Sequence, residues 1–565
     1  MASSSRADGL NLFSDTKLES INTVQRQPAP EILKCTELPD TTNFRWKVSE
    51  ISKFWRFLYL GTETGAFQAY AENVDFPNNP CDLALDQLLK NGLGMSVIGS
   101  ICKLANEDVA RFQKTITYAL AVCACSDGDA KKSSFDLVSQ ICTYPTMLLQ
   151  FAFYYQAINQ SVKNHKGWTK GIKAAVGKWY SNKRSYDVAF AVSSCPSFNH
   201  LSHRRLIKLS HIKPSDSLSL QILSKYITQG FSKVRQEYGD QASKSDDPEV
   251  KQLMELLHAV TQIKQANSSN DLSLLIAKHG LTWGHLPHSL HNNTEMWKST
   301  IPEIPLDILI QKLPYLQAMK VIDDGNKYSK IVIDRLTTQV SSSQMHPFRI
   351  LWHKHIYAAG FNRRGGKKWI ANKDILEALD TAFYKAIKNV KPTGKRICVT
   401  TDASKSMKGN LVNSHCMDCL TVISAMCLIL AKTESNVSIQ AFSKKLQEVN
   451  VTKDDTIATF RQKIVEVPLG GTDCARPMIS AKTKKHKFDC FIIFTDKETW
   501  HGKTIPTAAL WQYRQKLELP AKLIVVALTA KKFQVADASD RGMLDICGFS
   551  EHTPQIISDF IADRF

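Results

Sequence analysis

From about Asn43 to Val390 the apolar side chains recur at three- and four-residue spacing. That period predicts helices over Asp82–Leu89, Glu107–Cys123, Ser134–Ile141, Met147–Ile158, Trp168–Tyr180, Leu218–Ile227, Glu249–Ile263 and Asp374–Ile387. Pro, Gly, Asn and Ser fill the connections. There is no clean repeat length, but many short amphipathic helices in succession favour an α-solenoid over one compact bundle. The pattern changes at Pro392-Thr393-Gly394. Beyond it, Arg396–Thr401, Val437–Phe442, Phe488–Thr495 and Leu523–Leu528 read as apolar, β-branched strands. Helices over Val412–Lys432 and Pro506–Leu517 alternate with them. Such alternation predicts a mostly parallel sheet with helices on both faces, and ligands at the carboxyl ends of its strands. Residues 1–42 show little periodicity and read as a flexible tail. The expected organisation is a tail (1–42), a helical domain (43–390) and an α/β domain (391–565).

Length and composition add constraints. At 565 residues the chain is too long for one ordinary core. Its formal net charge of +19 points to polyanionic partners, nucleic acid first. The 14 cysteines follow no regular spacing. Cys416/Cys419 and Cys123/Cys125 sit in apolar stretches without a second pair at zinc-finger distance, so buried free thiols are expected. No signal-peptide core opens the chain and no run of apolar residues suits a bilayer. The expected address is the reducing cytoplasm, with the nucleus as a second one, and no membrane partner.

The basic excess is concentrated. Residues 1–390 hold 47 Lys and Arg against 35 Asp and Glu, while residues 161–235 alone hold 14 against 2. That one stretch accounts for the excess of the helical region. Within it Lys163, Lys166, Lys170 and Lys173 step along one helical face. Lys183 and Arg184 follow, then His203, Arg204, Arg205, Lys208 and His211 crowd a second short helix before Lys213. Such a face suits phosphates, with nearby Trp, Tyr and His available to unpaired bases. A charge run is more often just a solvated surface; the near absence of acids is what argues otherwise here. Trp168 and Trp179 read better as core packing than as base platforms, and His203 and His211 read equally well as structural or RNA-facing. A second basic cluster, Arg363-Arg364-Gly365-Gly366-Lys367-Lys368, reads equally well as a solvated loop.

Asp402-Ala403-Ser404-Lys405-Ser406 follows the first strand of the C-terminal region. Its D-x-S-x-S spacing places one carboxylate and two hydroxyls on a tight loop. Thr472 follows Gly470-Gly471, and Asp496 ends the Phe488–Thr495 strand. Taken singly these are ordinary loop-capping residues. Together they offer hard oxygen donors, too few in charge to saturate an ion, suited to one divalent cation, Mg²⁺ first and Mn²⁺ second.

The set Asp402/Ser404/Ser406, Thr472 and Asp496 resembles the metal-ion-dependent adhesion site of von Willebrand A domains. Further strings extend the resemblance: Phe57–Glu63, Leu206–Pro214, His346-Pro347-Phe348, Ala378–Lys385 and Arg541–Phe549. Together they resemble the Ro autoantigen family, whose TROVE domain binds Y RNAs, from about Asn43 to the C-terminus. The resemblance implies a ring-like domain of HEAT-type helical repeats followed by a doubly wound von Willebrand A-like domain. It implies Y-RNA binding on a basic outer surface and capture of single-stranded 3′ ends of misfolded small non-coding RNAs, in RNA quality control within a small ribonucleoprotein. One monomer per RNA is expected. Carried over by position, Lys170, Lys173, His203, Arg204, Arg205 and Lys208 fall in the RNA-binding segment. Ser404, Ser406 and Thr472 fall on direct metal ligands, with Asp402 and Asp496 acting through water.

Two other functions compete. A metal-dependent nuclease needs a closer cluster of carboxylates than this loop supplies, and no nucleophilic constellation stands out, so no enzymatic activity is expected. A protein-interaction adaptor would use the metal to capture an acidic side chain of a partner.

Overall fold

The computed structural model describes residues 31–34, 44–69, 83–163, 167–212, 217–265, 272–361, 368–442, 446–452, 454–468, 472–496, 502–532 and 535–565. Lys166, Lys213, the loop 362–367, Gly470-Gly471 and most of the expected tail lie outside them. Two compact units divide the chain: Met1–Leu33 with Asp75–Pro305, and Lys34–Val74 with Leu306–Phe565. The change of pattern at Pro392 therefore marks where strands begin to alternate with helices, while the second unit also takes in earlier segments. Part of the expected tail is ordered: Leu33 is buried, and its N–H donates to Ser100 Oγ at 3.2 Å.

The first unit is helical. The helix Gly94–Cys125 breaks at Asp108, whose φ of −160° and ψ of 76° leave the helical region. The Asp108 carboxylate accepts the Arg111 N–H at 3.1 Å, as an N-cap does, so it starts the second half of that helix. Further along, helices stack in a row by packing on the next but one in sequence. Asp129–Ile141 lies against Lys170–Ser181, which lies against His203–Ser210. Gly171 permits the first contact, since a Cβ there would meet the Phe135 ring at 2.6 Å. The predicted helices are present, most with ends shifted by a few residues, while the one expected from Glu107 is the second part of a helix that starts at Gly94.

Nine strands are present among the described residues: β1 (Ala66–Gln68), β2 (Ser197–Phe198), β3 (Leu201–Ser202), β4 (Ile397–Asp402), β5 (Val437–Phe442), β6 (Gln447–Glu448), β7 (Cys490–Thr495), β8 (Lys522–Ala527) and β9 (Met543–Cys547). β2 and β3 form a hairpin in the first unit. The others form one sheet in the second unit, in the order β1-β9-β8-β7-β4-β5-β6, parallel except for β6. β4, β7 and β8 are buried along their whole length, which explains their continuous apolar runs. From β4 the winding goes one way to β5 and the other way through β7, β8 and β9. The switch point thus lies between the carboxyl ends of β4 and β7.

β1 is the surprise of this sheet. It lies more than 300 residues upstream of β4 and pairs with β9, Ala66 opposite Asp545. The segment around it is fastened to the second unit. The Arg541 N–H donates to Trp46 O at 2.8 Å, and Arg56 donates to Ala538 O and Asp540 O at 2.8 and 3.0 Å. Beneath this segment Arg514 and Asp540 form an ion pair with both side chains fully buried.

The long helix expected over Val412–Lys432 begins instead at Cys419. Asp418 sets the start by accepting the Thr421 N–H at 3.0 Å. Residues 409–418 form a loop beside the D-x-S-x-S segment, tied down by Cys419 N–H to Gly409 O at 3.0 Å.

Candidate nucleic-acid interface and metal loop

The basic face is built on the helices Lys170–Ser181 and His203–Ser210. Their inward stripes are apolar: Ile172, Ala175, Val176, Trp179 and Tyr180 in the first, Leu206 and Ile207 in the second. Helical spacing then turns Lys170, Arg204, Arg205 and Lys208 to the solvent, with Lys173 half-buried. Among the described residues none of these five has a carboxylate partner, whereas the neighbouring Lys178 pairs with Asp136 at 3.2 Å.

Three of the cations stand where a helix least favours them. Lys170, Arg204 and Arg205 occupy the first turns of their helices, next to the positive end of the helix dipole. Thr169, in the N-cap position of its helix, makes no capping bond; its hydroxyl lies 3.0 Å from the Tyr155 hydroxyl. Cations crowded at helix starts suit an anion that can meet backbone N–H groups and side chains together.

His203 does not join this surface. It is 1% exposed, and its Nδ1 shares a 2.6 Å hydrogen bond with the Tyr180 hydroxyl. Its ring stacks on Trp179, with centroids 6.1 Å apart and planes at 24°. Burial pushes the His203 pKa down to about 3, so the ring is a neutral packing element. As a direct RNA contact His203 is thus corrected: Leu206, Ile207 and His203 share the buried side, and the ring sets the helix that carries Arg204 and Arg205. Lys183 also turns inward. Its ammonium donates to Ser139 O and Oγ at 2.9 and 3.1 Å and lies 4.7 Å from the Trp179 ring centroid. Burial lowers its pKa to about 8. Arg184 is exposed and donates to Gln252 Oε1 at 3.2 Å.

The metal-loop residues converge at the switch point. Asp402 ends β4 and is 2% exposed. Its Oδ1 accepts the Ser404 N–H at 2.8 Å and its Oδ2 accepts the Thr472 hydroxyl at 2.6 Å. The Ser404 and Ser406 hydroxyls lie 2.7 Å apart. Met407, fully buried, anchors the loop from below, and Met407 N–H donates to Ser404 O at 3.1 Å. One connected chain of contacts thus runs Ser406–Ser404–Asp402–Thr472. Asp496 follows β7 on the adjoining strand end, and its backbone carbonyl accepts the N–H and hydroxyl of Thr529 at 3.0 and 2.6 Å. Among the described residues no three His, Cys, Asp or Glu cluster to hold a metal. A cation at this site would depend on hydroxyl donors, and oxygen-only donors with few charges fit Mg²⁺ or Mn²⁺.

Two features were not legible beforehand. Asp473, beside Thr472, is 7% exposed and accepts the Ala475 N–H at 3.1 Å, fixing the turn that presents the threonine. Gly502 packs against it, where a Cβ would come within 2.7 Å of the Asp473 carboxyl group. The other is the β2–β3 hairpin directly before the Arg204/Arg205 helix, a pair of two-residue strands that no periodicity reveals.

Comparison with known proteins covers both regions of the chain. The family model described as the TROVE domain matches residues 39–364, and the one described as the Ro60 vWA domain matches residues 396–561. The chain belongs to the Ro60 family. Similar Ro60 proteins include the RNA-binding protein RO60 of Caenorhabditis elegans, 30% identical over 92% of this chain and 89% of the relative. The RNA-binding protein RO60 of Deinococcus radiodurans is 26% identical over 96% of this chain and 98% of the relative. The crystal structure of the Deinococcus radiodurans Ro (RSR) protein superposes with a TM-score of 0.79 at 25% identity, covering 92% of this chain and all of that one. The expected family and the order of a helical region followed by a von Willebrand A-type sheet are therefore found.

Proposed function

We propose that this Ro60-family chain is an RNA-binding protein of a small ribonucleoprotein. It holds Y RNAs and the single-stranded 3′ ends of misfolded small non-coding RNAs, stabilises or sorts them, and performs no chemistry on them. The observation that carries this reading is the pair of helix starts bearing Lys170, Arg204 and Arg205, exposed and without carboxylate partners among the described residues. The names of the relatives, RNA-binding proteins both, agree with it. Its place of action is the cytoplasm, with the nucleus second, and it works as one monomer per RNA. Among the described residues no helix is long and apolar enough to cross a membrane. The test is to titrate a structured RNA carrying a single-stranded 3′ tail and to recover it after incubation with Mg²⁺. Tight binding and intact RNA are expected; cleavage by the pure protein contradicts the non-enzymatic reading.

The metal loop is a separate device. Ser404, Ser406 and Thr472 would hold one divalent cation directly, and Asp402 and Asp496 would act through water. The cation would supply a Lewis-acidic point that accepts a carboxylate from an acidic protein partner. This adaptor role is the second reading, favoured by the exposed Ser406 at the rim of the loop. Replacing Ser404 and Ser406 together with Ala should weaken Mn²⁺ binding by on the order of tenfold or more, read by paramagnetic resonance or calorimetry. RNA affinity should be unchanged. Equal Mn²⁺ binding by wild type and variant would remove this loop as the cation site.

A further inference from the structure

The hairpin β2–β3 turns through two residues, Asn199 and His200, because Phe198 pairs directly with Leu201. Both have positive φ, 39° and 67°, the pattern of a type I′ turn. Asn is well suited to the first of these positions. Glycine is the low-strain choice at the second, where a side chain meets the backbone unfavourably. A histidine stands there instead, and it is exposed.

The tip is rigidly coupled to the basic helix. Phe198 packs edge-on against Phe153, with centroids 6.0 Å apart and planes at 80°. Leu201 is 4% exposed. Ser202, the last residue of the hairpin, is also the N-cap of the next helix, accepting the Arg205 N–H at 3.2 Å. His203 N–H reaches back to Pro196 O at 3.3 Å. Every residue between His200 and Arg204 is therefore fixed by packing or hydrogen bonding. The far end of the same helix repeats the theme: its C-cap, His211, is exposed with φ 50°, another left-handed position where glycine is usual.

We propose that His200 is a stacking platform for an unpaired nucleobase, set beside the phosphate contacts of Arg204 and Arg205. The proposal rests on the RNA-binding reading of this face and adds to it a contact that reads unpaired nucleotides rather than charge. An imidazole held on a rigid turn offers a flat π-surface at little entropic cost, and stacking of this kind needs no particular base. A tip made for stability alone would carry Asn-Gly. The strain at His200 is therefore tied to what its ring does in solvent.

The test uses the full chain, the variant His200→Gly, the ring-retaining variant His200→Phe, and two RNA probes: a hairpin with a single-stranded 3′ tail, and a blunt duplex of the same charge. His200→Gly should melt at or above the wild-type temperature, because glycine relieves the turn. It should bind the tailed hairpin about tenfold more weakly, with an unchanged slope of log affinity against log salt, because no phosphate contact is lost. Binding of the blunt duplex should stay as in wild type, and His200→Phe should recover most of the tailed-hairpin affinity. If His200→Gly binds the tail like wild type while a variant lacking Lys170, Lys173, Arg204 and Arg205 does not, the stacking role is overturned and the RNA face stands. If neither variant loses affinity, the RNA face itself is wrong. A drop in melting temperature with equal losses on both probes would assign His200 a structural role and overturn the proposal.

Discussion

Asp540→Ala should destabilise the sheet-bearing unit by about 3–5 kcal/mol, the cost of stranding a buried charge. In the native chain Arg514 Nη1 meets Asp540 Oδ2 at 2.6 Å with both side chains fully buried. The carboxylate also accepts Trp511 Nε1–H at 3.2 Å and Gly542 N–H at 2.8 Å. Arg514 in turn donates to Ala521 O at 2.7 Å and to Phe44 O at 2.9 Å, and Arg56 donates to Asp540 O. Removing the carboxylate leaves the guanidinium without its counter-charge, and the Trp511 and Gly542 N–H groups without this acceptor, beneath the segment that carries β1. Because a chain with two compact units need not unfold in one step, hydrogen exchange is the better readout. Amides of 44–69 and of β9 should lose protection first. The double change Arg514→Met with Asp540→Ala should be milder than Asp540→Ala alone, since it removes both charges. An Asp540→Ala protein within about 1 kcal/mol of wild type, with the segment still protected, would show that this pair does not fasten it.

A comparable effect is expected in the helical unit from Trp179→Ala, about 3–5 kcal/mol for a large buried aromatic. Trp179 is 1% exposed and joins three successive helices of the row. Its Nε1–H donates to Cys142 O at 2.6 Å, just past the end of Asp129–Ile141, and its ring stacks on His203 at the start of the next basic helix. Truncation opens a cavity, strands the Cys142 carbonyl and unseats His203. RNA affinity should therefore fall even at temperatures where circular dichroism shows the variant folded. Trp179→Phe keeps a ring against His203 but not the hydrogen bond, and should cost less than Trp179→Ala. A Trp179→Ala protein that melts and binds RNA like wild type would break the link between this core and the basic face.

These two anchors show where sequence reasoning succeeds and stops. The α/β alternation after Pro392 was legible because β4, β7 and β8 are buried on both faces and carry unbroken apolar runs. The convergence of Asp402, Ser404, Ser406 and Thr472 was legible because they lie at strand ends in a fixed order, and they are found in mutual contact. β1 was not legible: three residues give no period, and its partner β9 lies more than 470 residues away. The helix start at Cys419 was missed because the apolar residues Val412 and Met417 extend the helical pattern across a loop that only Asp418 ends. His203 goes to the RNA-binding segment only when carried over by position; as a residue type in this stretch it reads equally well as structural. Only its position on the inward stripe, with Leu206 and Ile207, reveals that it packs. Lys183 shows the same limit: its reach to Ser139 depends on tertiary contact alone.

The central claim is that the face bearing Lys170, Lys173, Arg204 and Arg205 binds RNA phosphates. It is tested most directly by measuring affinity for a tailed structured RNA across a salt series, for the wild-type chain and for the variant with all four changed to Ala. Each lost phosphate contact should shallow the log–log slope by about 0.7–0.9, so loss of all four should shallow it by roughly 3 and weaken binding steeply at low salt. Tight wild-type binding with a slope that collapses in the variant is the predicted result. Weak wild-type binding, or a variant whose slope matches wild type, would contradict it and leave the metal loop as the better guide to what this protein does.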